Sequence, residues 1–187
     1  MKKILCIYGL PAAGKTTQAE LIGKKYNFKQ FGMGDRLRAE VQSGSELGQT
    51  VKKFLDAGAL ITDDLMEQVI RSSDVVADSD GVIFDGFPRI ISQAAMLEKV
   101  TKDLGLDFVG YFYLNVKPDT AISRIKARAE LTHRPDDEDP KVVRNRMDVF
   151  AKESIALIEH YKNMGKLIEI DGEQSIEEVF AEIEKHL

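Results

Sequence analysis

From Gly9 the chain reads Gly-Leu-Pro-Ala-Ala-Gly-Lys-Thr, the G-x-x-x-x-G-K-[ST] spacing of a loop that holds phosphate. Gly9 and Gly14 let the backbone turn with its N–H groups pointing inward, and the stretch Ala12, Ala13, Gly14 supplies those donors. A helix opening near Lys15 adds the positive end of its dipole, so loop and helix together form an anion site. Lys15 places a point charge near the β- and γ-phosphates of a nucleotide, and a hydroxyl at Thr16 or Thr17 can reach Mg²⁺ or a phosphate oxygen. The competing reading is a chance turn, which four fixed positions would produce in roughly one sequence of this size in a hundred. The setting argues against chance, because an apolar run, Lys3 to Tyr8, precedes the loop and an amphipathic run, Thr17 to Lys25, follows it.

Asp85 ends a second apolar run, Val82-Ile83-Phe84, where a carboxylate can hold Mg²⁺ or its waters beside such a loop. Its alternative role is that of a turn residue in an Asp-Gly pair. The chain has nine arginines, and five of them, Arg124, Arg128, Arg134, Arg144 and Arg146, fall within 23 positions. Any one of these suits a solvated helix face; as a set they suit phosphoryl transfer, in which guanidinium groups bind the negative charge spread over several oxygens. Arg38 and Arg89 could act from the other side.

These residues need elements to hold them. Lys3 to Tyr8 reads as the first strand, Phe28 to Phe31 as the second, and Asp35 as an N-cap for a helix over Arg36 to Gln42. Further helices are expected over Glu46 to Ala57, closed by Gly58, and from about Asp63 to Val76. This segment, with three short helices between two strands, is expected to stand partly off the sheet. A strand at Val82 to Phe84 is followed by a helix over Ser92 to Leu104, with Ala95, Leu97 and Val100 towards the core. Phe108 to Val116 is the longest strand, and Pro118 opens a helix that sets Arg124 and Arg128 four apart on one face. Leu131 to Pro140 carries no helix or strand pattern. A helix over Lys141 to Asn163, a strand over Leu167 to Ile170 and a helix over Ser175 to Leu187 complete the chain. Alternating strands and helices imply an α/β fold with a parallel sheet covered on both faces.

Length and composition bound the function. At 187 residues the chain fits a single domain with a real core. With 30% charged and 43% hydrophobic residues it has the composition of an ordinary soluble protein. A net charge of −5 and a pI near 5.3 argue against a nucleic-acid-binding surface. No apolar stretch is long enough to cross a membrane, and the apolar residues after Lys3 run too soon into the glycine loop to form a signal peptide. Cys6 is the only cysteine, which excludes an internal disulfide and a multi-thiolate zinc site, so zinc is not expected and a reducing cytoplasm is.

The blocks GLPAAGKTTQA at Gly9, GDRLRAEVQSGSELG at Gly34, DAGALITDDL at Asp56, DGFPRIISQA at Asp85, RPDD at Arg134 and RNRM at Arg144 occur in that order. With them the chain resembles the nucleoside monophosphate kinases, and within these the adenylate kinases, over essentially its whole length. The resemblance implies a P-loop NTPase fold with a five-stranded parallel core (1–187). It also implies an acceptor-binding insertion near 32–61 and a short lid near 127–137. The implied reaction is Mg-dependent transfer between ATP and AMP by a monomer that acts on small nucleotides; a UMP, CMP or dAMP acceptor and a nucleotide-binding regulatory protein are the alternatives.

By position, Arg38, Arg89, Arg134 and Arg146 would bind the acceptor phosphate or bridge it to the γ-phosphate, and Arg124 and Arg128 would clamp the donor phosphates. Ala59, Leu60, Ile61 and Gly86, with Phe87 and Pro88, would line the acceptor site. Gln93 would read the base and Gln174 would set backbone against the donor adenine. Met33 stands where adenylate kinases usually have Thr or Ser against the base, a loss of one hydroxyl bond and about 0.5–1.5 kcal/mol. Ala12 stands where the family favours Gly, a change that is tolerated if φ is negative there, and Thr16 stands where it usually has a third Gly after the lysine. The lid lacks the inserted small β-domain of many bacterial relatives.

Overall fold

In the computed structural model the chain is described over residues 1–56, 61–72, 78–132, 137 and 139–187. The expected positions Ala57, Gly58, Ala59, Leu60 and Arg134, and the end of the helix expected to reach Val76, lie outside the described residues.

Among the described residues five strands form: β1 (Lys3–Gly9), β2 (Phe28–Gly32), β3 (Gly81–Asp85), β4 (Asp107–Asn115) and β5 (Leu167–Asp171). All pair in parallel in the order β2-β3-β1-β4-β5. The helices are α1 (Lys15–Tyr26), α2 (Met33–Ser43), α3 (Glu46–Asp56), α4 (Asp63–Ser72), α5 (Ile91–Asp103), α6 (Pro118–Thr132), α7 (Pro140–Asn163) and α8 (Ile176–Glu184). The expected α/β fold is therefore found.

Strand alternation divides the core between the two faces of the sheet. Ile4, Cys6 and Tyr8 of β1 join Leu97 and Val100 of α5 and Leu157 and Tyr161 of α7 on one face. Leu5 and Ile7 join Ala19 and Ile22 of α1, Ala121 of α6, and Val179 and Ile183 of α8 on the other. A third, smaller cluster of Leu37, Val51 and Val69 lies among α2, α3 and α4, with Met33 and Ile61 against it. The sheet order reverses direction at β1, and the carboxyl ends of β1 and its neighbours open on one crevice, where parallel α/β sheets bind ligands.

Three local expectations are corrected. Asp35 is not an N-cap: β2 passes directly into α2, so Gly32 takes that place and Asp35 falls in the first helical turn. Ala95 is exposed, whereas its neighbours Ala94 and Met96 are buried, because the inward stripe of α5 is set by Ala94, Leu97, Val100 and Thr101. Leu131 is helical, since α6 continues to Thr132 into the stretch expected to be irregular.

Candidate active site

The loop after β1 is built around backbone constraints. Gly9 has φ +151, and a Cβ there would lie 2.7 Å from the Leu114 carbonyl oxygen, so only glycine fits against β4. Gly14 has φ +95 and occupies the N-cap position of α1, whose first turn has neither a side-chain cap nor an acidic residue. Ala12 has φ +62, so the negative φ under which an alanine is easily tolerated is not met and the residue is held in the left-handed region. Ala13 is buried, packs into the core and donates its N–H to the Leu10 carbonyl at 3.0 Å.

Lys15 folds back over the loop, and its Nζ donates to the carbonyl oxygens of Gly9 (2.8 Å) and Leu10 (2.7 Å). Burial pushes its pKa down to about 8; the Asp85 carboxylate opposes that shift, whereas Arg89, Arg128 and Arg146 add to it. An ammonium and three guanidinium groups thus gather near two carboxylates, Asp85 beside Lys15 and Asp137 between Arg128 and Arg146. Folding does not reward such a cationic focus unless a polyanion occupies it.

Asp85 ends β3, with Ile7 and Gly32 beside it on the two neighbouring strands. Its Oδ2 accepts from the Thr16 hydroxyl at 2.7 Å and from the Gln30 amide at 2.9 Å. A hydroxyl against a carboxylate is an oxygen donor set suited to a hard divalent ion that keeps several waters. Among the described residues no group of three or more His, Cys, Asp or Glu side chains could hold a metal on its own.

Gly86 follows at φ +68, where a Cβ would come within 3.6 Å of the Arg89 guanidinium and 3.8 Å of the Lys15 side chain. Its carbonyl accepts from Arg89 Nε at 2.8 Å, so the Asp-Gly turn aims this guanidinium back towards the loop. Phe87 and Pro88 are buried behind it, and the Pro88 carbonyl accepts from the Tyr111 hydroxyl at 3.3 Å. Gln93, on α5, is buried; its Oε1 accepts from the Arg89 backbone N–H at 2.8 Å.

Arg124 and Arg128 project from one face of α6 and line a cavity of about 210 Å³ with Ala12, Gly14, Lys15, Thr16 and Thr17. Arg124 also donates to the Gly172 carbonyl at 3.0 Å. Gln174 lies half-buried in the turn between β5 and α8. Arg128 grips Asp137 with two bonds, 2.7 and 2.9 Å, and Arg146 of α7 reaches the same carboxylate at 3.0 Å. The Asp137 side chain is fully buried, and the Arg128 bond holds its carboxyl below the usual carboxylate range.

Not every expected residue points at the crevice. The Arg38 guanidinium pairs with Asp35 on its own helix and is exposed. Met33 packs between the small cluster and the main core, and Ile61 against the small cluster. Three residues that sequence reasoning did not single out belong to the site. Asp137 ties two arginines together, Gln30 steadies Asp85, and Met66 touches Gln93, its sulfur accepting from Nε2 at 3.6 Å. A signal existed for Asp137 alone: it is an acid inside a run of arginines that need an anchor.

Comparison with known proteins is consistent with this geometry. Residues 7–166 match the family described as adenylate kinase. The chain is similar to an adenylate kinase of Nautilia profundicola, 40% identical over 188 residues that cover 99% of this chain and 96% of the relative. It is similar as well to adenylate kinases of Bacteroides thetaiotaomicron (39% identical, 96% and 95% covered) and Caulobacter vibrioides (40% identical, 98% and 96% covered).

Proposed function

The chain belongs to the adenylate kinase family, and from that premise we propose how its own residues carry the reaction. It is a phosphotransferase, a nucleoside monophosphate kinase for the equilibrium ATP + AMP = 2 ADP.

In our reading the donor phosphates lie on the backbone of Ala12, Ala13 and Gly14, against Lys15, Thr16 and Thr17. Arg124 and Arg128 cover them from α6, and backbone near Gln174 borders the donor adenine. Thr16 and Asp85 would hold Mg²⁺, partly through water, and the ion would supply neutralisation of phosphate charge. The acceptor phosphate is held by Arg89, Arg146, Arg134 and, once α2 swings inward, Arg38. Met33, Ala59, Leu60, Ile61, Gly86, Phe87, Pro88 and Gln93 form the acceptor site. The acceptor phosphate is already ionised, so no general base is required. Catalysis is in-line positioning and neutralisation of the travelling charge by Lys15 and the arginines.

Water competes with AMP for the γ-phosphoryl group, which gives the segments at 32–61 and 127–137 their purpose as covers that exclude it. The small cluster of Leu37, Val51 and Val69 packs α2 and α3 of the first segment together and against α4, which lies beyond it. We infer a monomer working in the cytoplasm on small nucleotides.

The observation that supports the reading is the cavity of about 210 Å³ lined by the loop residues Ala12, Gly14, Lys15, Thr16 and Thr17 together with Arg124 and Arg128, with Arg146 tied to Arg128 through Asp137 and Arg89 turned back on Gly86 beside it. Arg89→Ala tests it. Transfer to AMP should fall by a factor of about 10²–10³, while ATP, measured by direct titration, still binds. Near-normal turnover would remove Arg89 from the transfer path.

A further inference from the structure

Gln93 is 8% exposed, and a buried carboxamide is fixed by its partners because its two ends are almost equal in shape. One partner is the Arg89 backbone N–H, which donates to Oε1 at 2.8 Å. The other is Met66 on α4, whose sulfur accepts from Nε2 at 3.6 Å. Turning the amide over would set its NH₂ against a backbone donor and its oxygen against a sulfur that has only lone pairs to offer. Both partners therefore favour the same orientation. Met66 is held where it can do so: Glu67, the next residue, takes Arg71 at 2.9 Å and Lys99 of α5 at 3.2 Å, and Arg71 reaches Asp103 at 2.6 Å. These ion pairs join α4 to α5 beside the sulfur. For packing alone a leucine of similar volume would serve at Met66, so the thioether adds an acceptor and not bulk.

We propose that Met66 is a positioning residue for acceptor specificity: its sulfur locks the Gln93 amide in the orientation that pairs with a 6-amino purine and opposes a 6-oxo purine. This rests on the reading of Gln93 as the contact to the acceptor base. The held amide keeps one N–H and one oxygen lone pair to present. A 6-amino purine offers an exocyclic donor beside a ring acceptor, which complements that pair. A 6-oxo purine places an acceptor and a ring N–H at the same two positions, so a locked amide meets donor with donor and acceptor with acceptor. A freely turning amide would accommodate either base. Met33 brings no hydroxyl, so among the described side chains named for the acceptor site Gln93 is the one that offers both a donor and an acceptor.

The test compares kcat/KM for AMP and for inosine monophosphate at saturating ATP in the wild type, Met66→Leu, Met66→Gln and Gln93→Ala. Met66→Leu should lower the AMP preference about three- to tenfold, chiefly through KM for the monophosphate, with KM for ATP and Tm unmoved. Met66→Gln, whose carbonyl oxygen again accepts, should recover it. If Gln93→Ala removes the preference while Met66→Leu retains it, the lock is refuted and the base contact stands. If Gln93→Ala leaves the preference intact, the base contact itself is wrong and the lock falls with it. A drop in Tm at Met66→Leu with an unchanged ratio would mark Met66 as packing only and overturn the proposal.

Discussion

At Lys15 two demands conflict. The side chain must be charged to meet phosphate, yet burial and three nearby guanidinium groups pull its pKa down to about 8. Bound phosphate favours the charged form, so nucleotide binding should take up a proton above pH 8 and none near pH 7. ATP affinity should weaken as pH rises through that value. Calorimetry in buffers of different ionisation enthalpy at pH 9 would measure the uptake, and Lys15→Met should abolish it. Without ligand the sign on stability is opposite. The folded value lies below the ordinary lysine value, so the unfolded chain binds more protons between about pH 8 and 10.5, and this group's contribution to stability rises with pH across that window. Ala12 gives a second prediction at this scale. An alanine at φ +62 carries about 1 kcal/mol of strain. Ala12→Gly should offset its own entropic cost and raise Tm by about 1–2 °C; a lower Tm would mean the loop does not hold that conformation.

Between residues and the whole fold, α6 and α7 matter most, because each carries arginines that another group must seat. Asp137 is that group for Arg128 and Arg146. Asp137→Asn should cost about 1–3 kcal/mol and lower kcat while leaving the fold intact. The carboxylate's pKa is depressed in the folded state, so its contribution is full above the ordinary aspartate value and is lost as pH falls through the folded one. Acid unfolding of the variant should therefore lose part of the wild type's pH dependence at that end. The seat of α7 itself is Phe150, one turn beyond Arg146. Its ring stacks on Tyr8 of β1 at 5.1 Å and on Tyr113 of β4 at 6.4 Å. Phe150→Ala should lose about 2–3 kcal/mol and lower kcat through Arg146; Phe150→Leu should recover more stability than turnover, as read from melting and steady-state rates. These seats were hard to read from the chain. Arg124 and Arg128 announce a shared face by spacing alone, whereas Asp137, though only nine residues from each arginine it holds, has no periodic pattern to mark it, and Phe150 acts on strands distant in sequence. The same limit explains Asp35, whose capping role was displaced by a strand running straight into its helix, and Ala95, one position off an inward stripe that only packing defines. By contrast β1 and β3, apolar runs ending in glycine or aspartate, were legible because their sequence and their burial state the same thing.

Taken as a whole molecule, an acidic chain of net charge −5 concentrates cations in one crevice at the carboxyl edge of its sheet. In the proposed reading one end of that crevice is the loop after β1 with Arg124 and Arg128 of α6 over it, and the other carries Arg89 from the turn after β3 and Arg146 of α7. The account requires that both ends be filled by phosphate at once, with room for a single phosphoryl unit between them. Calorimetric titration with P1,P5-di(adenosine-5′) pentaphosphate, which carries a nucleoside for each end, addresses this directly. The account predicts one equivalent per chain that displaces ATP and AMP together, with affinity lost in both Arg89→Ala and Arg124→Ala. Binding of a second equivalent, or displacement of ATP while AMP remains bound, would contradict it.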